Sequence, residues 1–213
     1  MLKRTPCPIC DPRQERNDRI WDRFAPHYDA GLLLLERRLA GWRQELLAGV
    51  RGRVLEVGAG TGANLPHYPP GTDLVLTEPS AGMLSRAQAR AADLGYAPDI
   101  RQAPAQSLPF PDATFDAVVS TLVFCNVPEP AAGLGEIRRV LKPGGRLLMI
   151  EHVRPPNPLL AGVAAGLDLI TARIWGEHLT RETQREVARA GFEVVEDVPL
   201  WLWGTFRRIV GAA

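Results

Sequence analysis

The stretch "RVLEVGAGTGANLPHYPPG", residues 53–71, constrains the fold of this chain more than any other. It opens as a buried strand, an apolar run that ends in Leu55, Glu56 and Val57. Gly58, Gly60 and Gly62 follow at alternate positions, where a strand should hand over to a helix. Glycine there lets the main chain turn tightly and lets a bulky group come within contact of it. "GAGTGA", residues 58–63, fits the pattern G-x-G-x-x-G/A, with Ala63 in the last place. A loop of this kind belongs to an open α/β sheet, whose ligands lie at the carboxyl ends of the strands.

The flanking sequence keeps to that plan. "DLVLTEPS" (73–80) reads as a strand and "AGMLSRAQARAADLG" (81–95) as a helix stopped by Gly95. "DIRQA" (99–103) is a strand that leads into the loop "PAQSLPFPDAT". "FDAVVSTLVF" (115–124) is a strand, and "AAGLGEIRRVL" (131–141) is a helix ended by Lys142-Pro143-Gly144-Gly145. "GRLLMIEHV" (145–153) is a further strand. Apolar runs without polar alternation fit parallel strands covered on both faces.

Upstream, Ile20, Trp21, Phe24 and Tyr28 recur at helical steps, interrupted at Pro26, and "LLLLERRLAGWRQELL" gives a second helical run. Downstream, helical stretches near 159–175 and 178–190 precede "FEVVEDV" (192–198) and "TFRRIV" (205–210). The six residues "PLWLWG" between those strands leave no room for a crossover, so the pair must be antiparallel. The expected fold is α/β: a Rossmann-like, seven-stranded, mostly parallel sheet with helices on both faces and a C-terminal antiparallel hairpin.

A chain of 213 residues is long enough for one sizeable core. Residues 1–18, rich in proline and charge, read as a mobile arm before a single domain over 19–213. Within it, residues 19–50 supply N-terminal helices, 52–153 the ligand-binding core, and 154–213 an insert and the terminal hairpin. A net charge of +1 gives no electrostatic footing for nucleic acid. Three cysteines cannot make a disulfide framework. Cys7 and Cys10 have the spacing of half a zinc site, but no second pair follows, so no metal is expected. No signal peptide or membrane span is apparent, which points to the cytoplasm, with peripheral membrane contact left open and a monomer or homodimer expected.

Two ligands compete for the glycine loop. The pattern alone would serve a nicotinamide dinucleotide, and with it an oxidoreductase. Glu56, however, makes the motif E-x-G-x-G-x-G. A carboxylate there would repel a pyrophosphate but suits the cationic amino-acid end of S-adenosylmethionine. Glu78, at the end of the second strand, can accept hydrogen bonds from both ribose hydroxyls of either ligand.

The run "VLEVGAGTG … TEPS … LPFPDATFDAVVS … EIRRVLKPGGRLLMIEH" resembles the class I S-adenosylmethionine-dependent methyltransferases. It is similar within them to the branch of quinone C-methyltransferases and phospholipid N-methyltransferases. "GANLPHYPPG", "STLVFCNVPEP", "IEHV" and "HLTRET" resemble the thiol S-methyltransferases more closely still. The chain departs from many relatives at Ala103-Pro104-Ala105, where they carry an acid for the adenine amino group. It departs again at Gly176-Glu177, where they tend to carry Gly-Cys.

The resemblance implies a cofactor, S-adenosyl-L-methionine, with S-adenosyl-L-homocysteine as product, and a set of contacts. Gly58, Ala59, Gly60 and Gly62 would line the methionine moiety, and Glu56 and Asn64 would orient its polar end. Glu78 would take the ribose. Pro79 and Met83 would flank the adenine, with Ala105 and Gln106 on its edge, while Thr121 and Leu122 lie beside the sulfonium. On the acceptor side stand Tyr28, Cys125, Asn126, His152 and Trp175, with His152 placed to act as a base. The acceptor is expected to be a small molecule, with thiol, amine, hydroxyl and carbon all open. The apolar insert over 155–180 suggests a lipophilic acceptor or contact with a membrane surface, against the alternative of a helix packed on the sheet or a dimer contact. A module that binds the cofactor without catalysis is the alternative of a different class.

Overall fold

The computed structural model describes residues 11–31 and 33–213. Helices α1 (Pro12–Gly31) and α2 (Leu33–Leu47) precede strand β1 (Arg53–Val57). Then come β2 (Asp73–Thr77), α3 (Ala81–Asp93), β3 (Asp99–Arg101), β4 (Phe115–Thr121), α4 (Pro130–Val140) and β5 (Leu141–His152). Helices α5 (Pro158–Ile174) and α6 (Thr183–Arg189) lead to β6 (Glu193–Trp201) and β7 (Phe206–Ala212). The seven strands form one sheet in the order β3-β2-β1-β4-β5-β7-β6. All neighbours from β3 to β5 are parallel, and β7 runs antiparallel to both β5 and β6. The sheet expected from sequence is the sheet observed.

Alternation along the buried strands splits the core into two layers. Leu55, Val57, Val118, Leu147 and Met149 pack with Leu134 and Ile137 of α4 and Val187 of α6. Val54, Leu76, Val119, Leu148 and Ile150 pack on the opposite face with Leu46 and Leu47 of α2. Glu56, one step from Leu55, points into this second layer. The chain reverses its direction of travel across the sheet between β1 and β4, and their carboxyl ends form the crevice expected of such a topology.

Several boundaries differ from expectation for local reasons. Residues 12–18, expected to lie in the arm, instead open α1, which begins at Pro12 and buries Gln14 and Asn17; residues 1–10 lie outside the described residues. Pro12 suits a first helical turn, where its missing N–H is not needed. Cys7 and Cys10 lie outside the described residues. Pro26 does not interrupt α1, which runs on to Gly31. A proline there forfeits one helical hydrogen bond, and bonds on either side of it hold the helix down. Asp22 Oδ1 accepts from Ser80 Oγ (2.7 Å) and Gly82 N (2.9 Å), and Asp29 accepts from Thr61 Oγ1 (2.6 Å) and Arg90 Nη2 (2.8 Å).

Residues 178–182, expected to be helical, are not, since Asp168 of α5 captures the N–H of Leu179 and Thr180. The fourth strand stops at Thr121 rather than Phe124 because Leu122 takes a left-handed backbone with φ 57°.

Candidate active site

A cleft of about 870 Å³, its open mouth included, lies over the carboxyl ends of β1 and β4. Its walls include Glu56, Gly58, Ala59, Gly60, Asn64, Glu78, Pro79, Met83, Ala105, Gln106, Thr121 and Leu122. Tyr28 and Asn126 line it as well. The sequence-derived set therefore converges on one space, with four exceptions. Gly62, Cys125, His152 and Trp175 do not line it.

The three loop glycines do three different jobs, all with positive φ. A side chain on Gly58 would come 2.5 Å from Val123, so this glycine admits the loop after β4. One on Gly62 would come 2.8 Å from Leu65 and 3.2 Å from the Ala87 backbone, so it admits the Leu65 side chain and α3. Gly60 alone of the three has nothing within 4 Å of that position. Its bare face is a cradle that a Cβ would fill.

Two buried carboxylates frame the loop. Glu56 accepts from Asn64 Nδ2 at 2.9 Å and from the Tyr68 hydroxyl at 2.8 Å. Glu78 accepts from Gly60 N at 3.0 Å and Ser80 N at 2.9 Å, which fixes the glycine turn against the end of β2. Burial pushes both carboxyls up to about 7, against these hydrogen bonds, which pull the other way. Ser80 also caps α3, accepting from Met83 N at 3.2 Å and so setting Met83 over the cleft.

A third buried acid, Glu151, supports the strained Leu122 corner. One of its oxygens accepts from Val123 N (3.0 Å) and Phe124 N (3.2 Å), and Leu122 N donates to Ile150 O at 2.8 Å. A non-glycine residue at positive φ persists only where its surroundings hold it. Here the surroundings aim Leu122 at the cleft.

Polar atoms on the cleft walls are left without partners: Asn64 Oδ1, Gln106 Oε1, Asn126 Oδ1 and Arg43 Nε. Buried polar atoms are normally satisfied. Acceptors and a donor spaced along a cleft with a bare glycine at its centre fit a long polar ligand with an amino-acid end, such as S-adenosylmethionine.

Beyond Asn126 a second cluster gathers. His152 Nε2 lies 3.0 Å from Glu177 Oε1. The Cys125 sulfur, a His152 nitrogen and a Glu177 oxygen all fall within 4.8 Å of one another, close enough to hold a metal ion. Burial pushes the Cys125 thiol up, and Glu177 and Glu151 add to the effect, so this sulfur is held as a thiol. Gly176, with φ 69°, turns Glu177 inward, and Thr171 Oγ1 fixes its carbonyl at 2.9 Å. Trp175 packs edge-on against Phe24 of α1, ring centroids 6.5 Å apart. Trp21, a cleft residue, makes a similar contact with Tyr28 at 5.8 Å.

Sequence reasoning missed Arg43, Trp21, Gln14 and Asn17 in the cleft, Tyr68 behind Glu56, and Glu177 beside His152. A signal existed for Arg43. The buried stripe of α2 reads Leu39, Arg43, Leu46, Leu47, an arginine at helical spacing among leucines.

A family described as a methyltransferase domain matches residues 55–149, from β1 into β5. The chain is 36% identical over 157 residues to a phosphatidylethanolamine N-methyltransferase of Cereibacter sphaeroides, spanning 73% of this chain and 77% of that one. It is also 36% identical over 157 residues to a thiol S-methyltransferase of Mus musculus, spanning 70% of this chain and just under two thirds (64%) of that one. In fold it matches an S-adenosylmethionine-dependent methyltransferase of Thermotoga maritima, with a TM-score of 0.69, 23% identity, and 91% and 98% of the two chains covered. No helix among the described residues is long and apolar enough to cross a membrane. The glycine cradle, its two framing acids and these relatives agree: the chain belongs to the S-adenosylmethionine-dependent methyltransferase family.

Proposed function

We propose that the enzyme methylates a small, lipophilic acceptor that gives up a proton on methylation, a thiol first among these. The observation that carries this reading is the aromatic cover of the cleft. Trp21 and Tyr28 of α1 line the cleft, and Phe24, packed on Trp21, carries the aromatic row on to Trp175, two residues before the Glu177 that pairs with His152. Relatives named for a lipid amine and for a thiol are in keeping with an apolar acceptor.

In this reading Glu78 takes the ribose hydroxyls, and Pro79 and Met83 sandwich the adenine. Ala105 and Gln106 meet its edge, where the free Gln106 Oε1 receives the amino group. Gly58, Ala59 and Gly60 present main chain to the methionine moiety, with Glu56 and Asn64 at its polar end. Thr121 and the Leu122 corner bound the reacting methyl. When bound, S-adenosylmethionine supplies a methyl group on a positively charged sulfur. Because that is a good leaving group, holding the reactants in line can carry much of the rate, with effective molarities on the order of 10⁵ M or more.

The chain's own chemistry is then on the acceptor. Glu177 orients His152, and His152 takes the acceptor's proton. Asn126 and Tyr28 bound the acceptor at the cleft wall, and Cys125 packs behind them. The hydrophobic helix α5 offers an approach for a lipophilic molecule.

The test is a screen with methyl-labelled cofactor against matched alkyl thiols, amines and alcohols of increasing chain length. Transfer to thiols that strengthens with chain length is expected. Transfer confined to polar or macromolecular acceptors would overturn the reading.

A further inference from the structure

We infer that Arg43 binds the carboxylate of the cofactor's amino-acid end, opposite Glu56, so that this end of the cleft recognises a zwitterionic α-amino acid. The inference rests on the cofactor placement proposed above and adds a residue to it.

Arg43 is 4% exposed, on the face of α2 that otherwise buries Leu39, Leu46 and Leu47. A guanidinium there is costly unless it is paired, and Glu36 supplies one partner through Nη1. That leaves much of a five-donor fork to be used. Nε is buried and has no partner. The side chain reaches the cleft wall, together with Glu56, Asn64 and Tyr28.

The charge pattern of the walls points the same way. Among the lining residues Arg43 is the one cation, against the acids Asp18, Glu56 and Glu78. The cofactor carries two positive centres, sulfonium and ammonium, and one carboxylate. A wall with several acids and one arginine is the complement of that distribution. Glu56 serves the ammonium, and the carboxylate needs a cation, for which an arginine fork has the matching planar geometry. Glu36, with its side chain 35% exposed, holds the fork from behind.

Calorimetric titration with S-adenosylmethionine and its decarboxylated form, which keeps the amine and loses the carboxylate, tests this directly. Wild-type protein should prefer the intact molecule by about ten- to a hundredfold, the range of a hydrogen-bonded charge. Arg43→Gln should weaken binding of the intact cofactor by a similar factor, and change the decarboxylated form less than about threefold. Arg43→Lys should recover part of the preference. Equal weakening of both ligands in Arg43→Gln would overturn the inference, since a merely structural arginine acts on both alike. So would equal affinity of the wild type for both, a result that needs no variant to fold. Wild type that binds neither ligand would instead overturn the cofactor placement, and the inference with it.

Discussion

The cofactor side and the acceptor side of this sheet edge are held by different means. Around the glycine loop, Glu56, Glu78 and Glu151 are all buried, and every one of them accepts hydrogen bonds that lock a turn in place. Across the cleft, α5 buries only Ala161 and Ala164, while Leu159, Val163 and Leu169 are 81%, 61% and 76% exposed. Its end is tied down through Asp168, which grips the loop carrying Glu177. A ligand of fixed shape rewards a rigid, polar, over-determined cradle. The apolar acceptor proposed above would need only a surface and a few well-placed groups.

The sharpest way to break this contrast lies in the glycines. Gly58→Ala forces a Cβ to 2.5 Å from Val123 at positive φ and should cost about 3–5 kcal/mol in chemical denaturation. Gly60→Ala has open space and should cost only about 1–2 kcal/mol. It should nevertheless weaken S-adenosylhomocysteine binding at least about tenfold, because the methyl fills the cradle. Equal stability losses would show that the division of labour between these glycines is wrong.

The buried acids give a pH signature of comparable size. Burial pushes Glu56, Glu78 and Glu151 up from 4.5 to about 7, so the native state binds protons more tightly than the unfolded chain. Their contribution to stability is full below pH 4.5 and is lost as pH rises through 7. Each carboxyl should remove on the order of 3 kcal/mol across that window, read from denaturation midpoints of the ligand-free protein. Binding should release protons near pH 6–7 as ribose hydroxyls stabilise the charged Glu78, which titrations in buffers of different ionisation enthalpy would detect. Stability that climbs from pH 5 to pH 8 would contradict the placement of these acids.

On the acceptor side the effects should be smaller and kinetic. Glu177→Gln should lower kcat about tenfold or more for an acceptor with a proton to lose. It should leave S-adenosylhomocysteine affinity within about twofold, because Glu177 lies outside the cleft. Least of all, Leu169→Ser on the outer face of α5 should change stability by less than about 0.5 kcal/mol.

What could be read without coordinates follows the same division. The seven strands, the hairpin and most of the cleft lining were legible because "LEVGAGTG" and its sequels are local patterns. For Gly62, spacing shows that a glycine is required but not what approaches it, and here Leu65 and Ala87 do. The relation of His152 and Cys125 to Glu177 depends on the Gly176 turn and Asp168, contacts distant in sequence. Arg43 was signalled only by its place at helical spacing among the leucines of α2. The left-handed Leu122 had no signal at all, since its conformation is imposed by Glu151 from a neighbouring strand.

The most direct test of the cofactor cradle is calorimetric titration of S-adenosylhomocysteine into wild-type protein and into Glu78→Ala, with NAD in parallel. Binding near 1 µM in the wild type, about 8 kcal/mol, is expected to weaken at least about tenfold in a variant that still unfolds cooperatively. Undiminished binding to Glu78→Ala, or binding to NAD instead, would contradict the cradle built on Gly60 and Glu78.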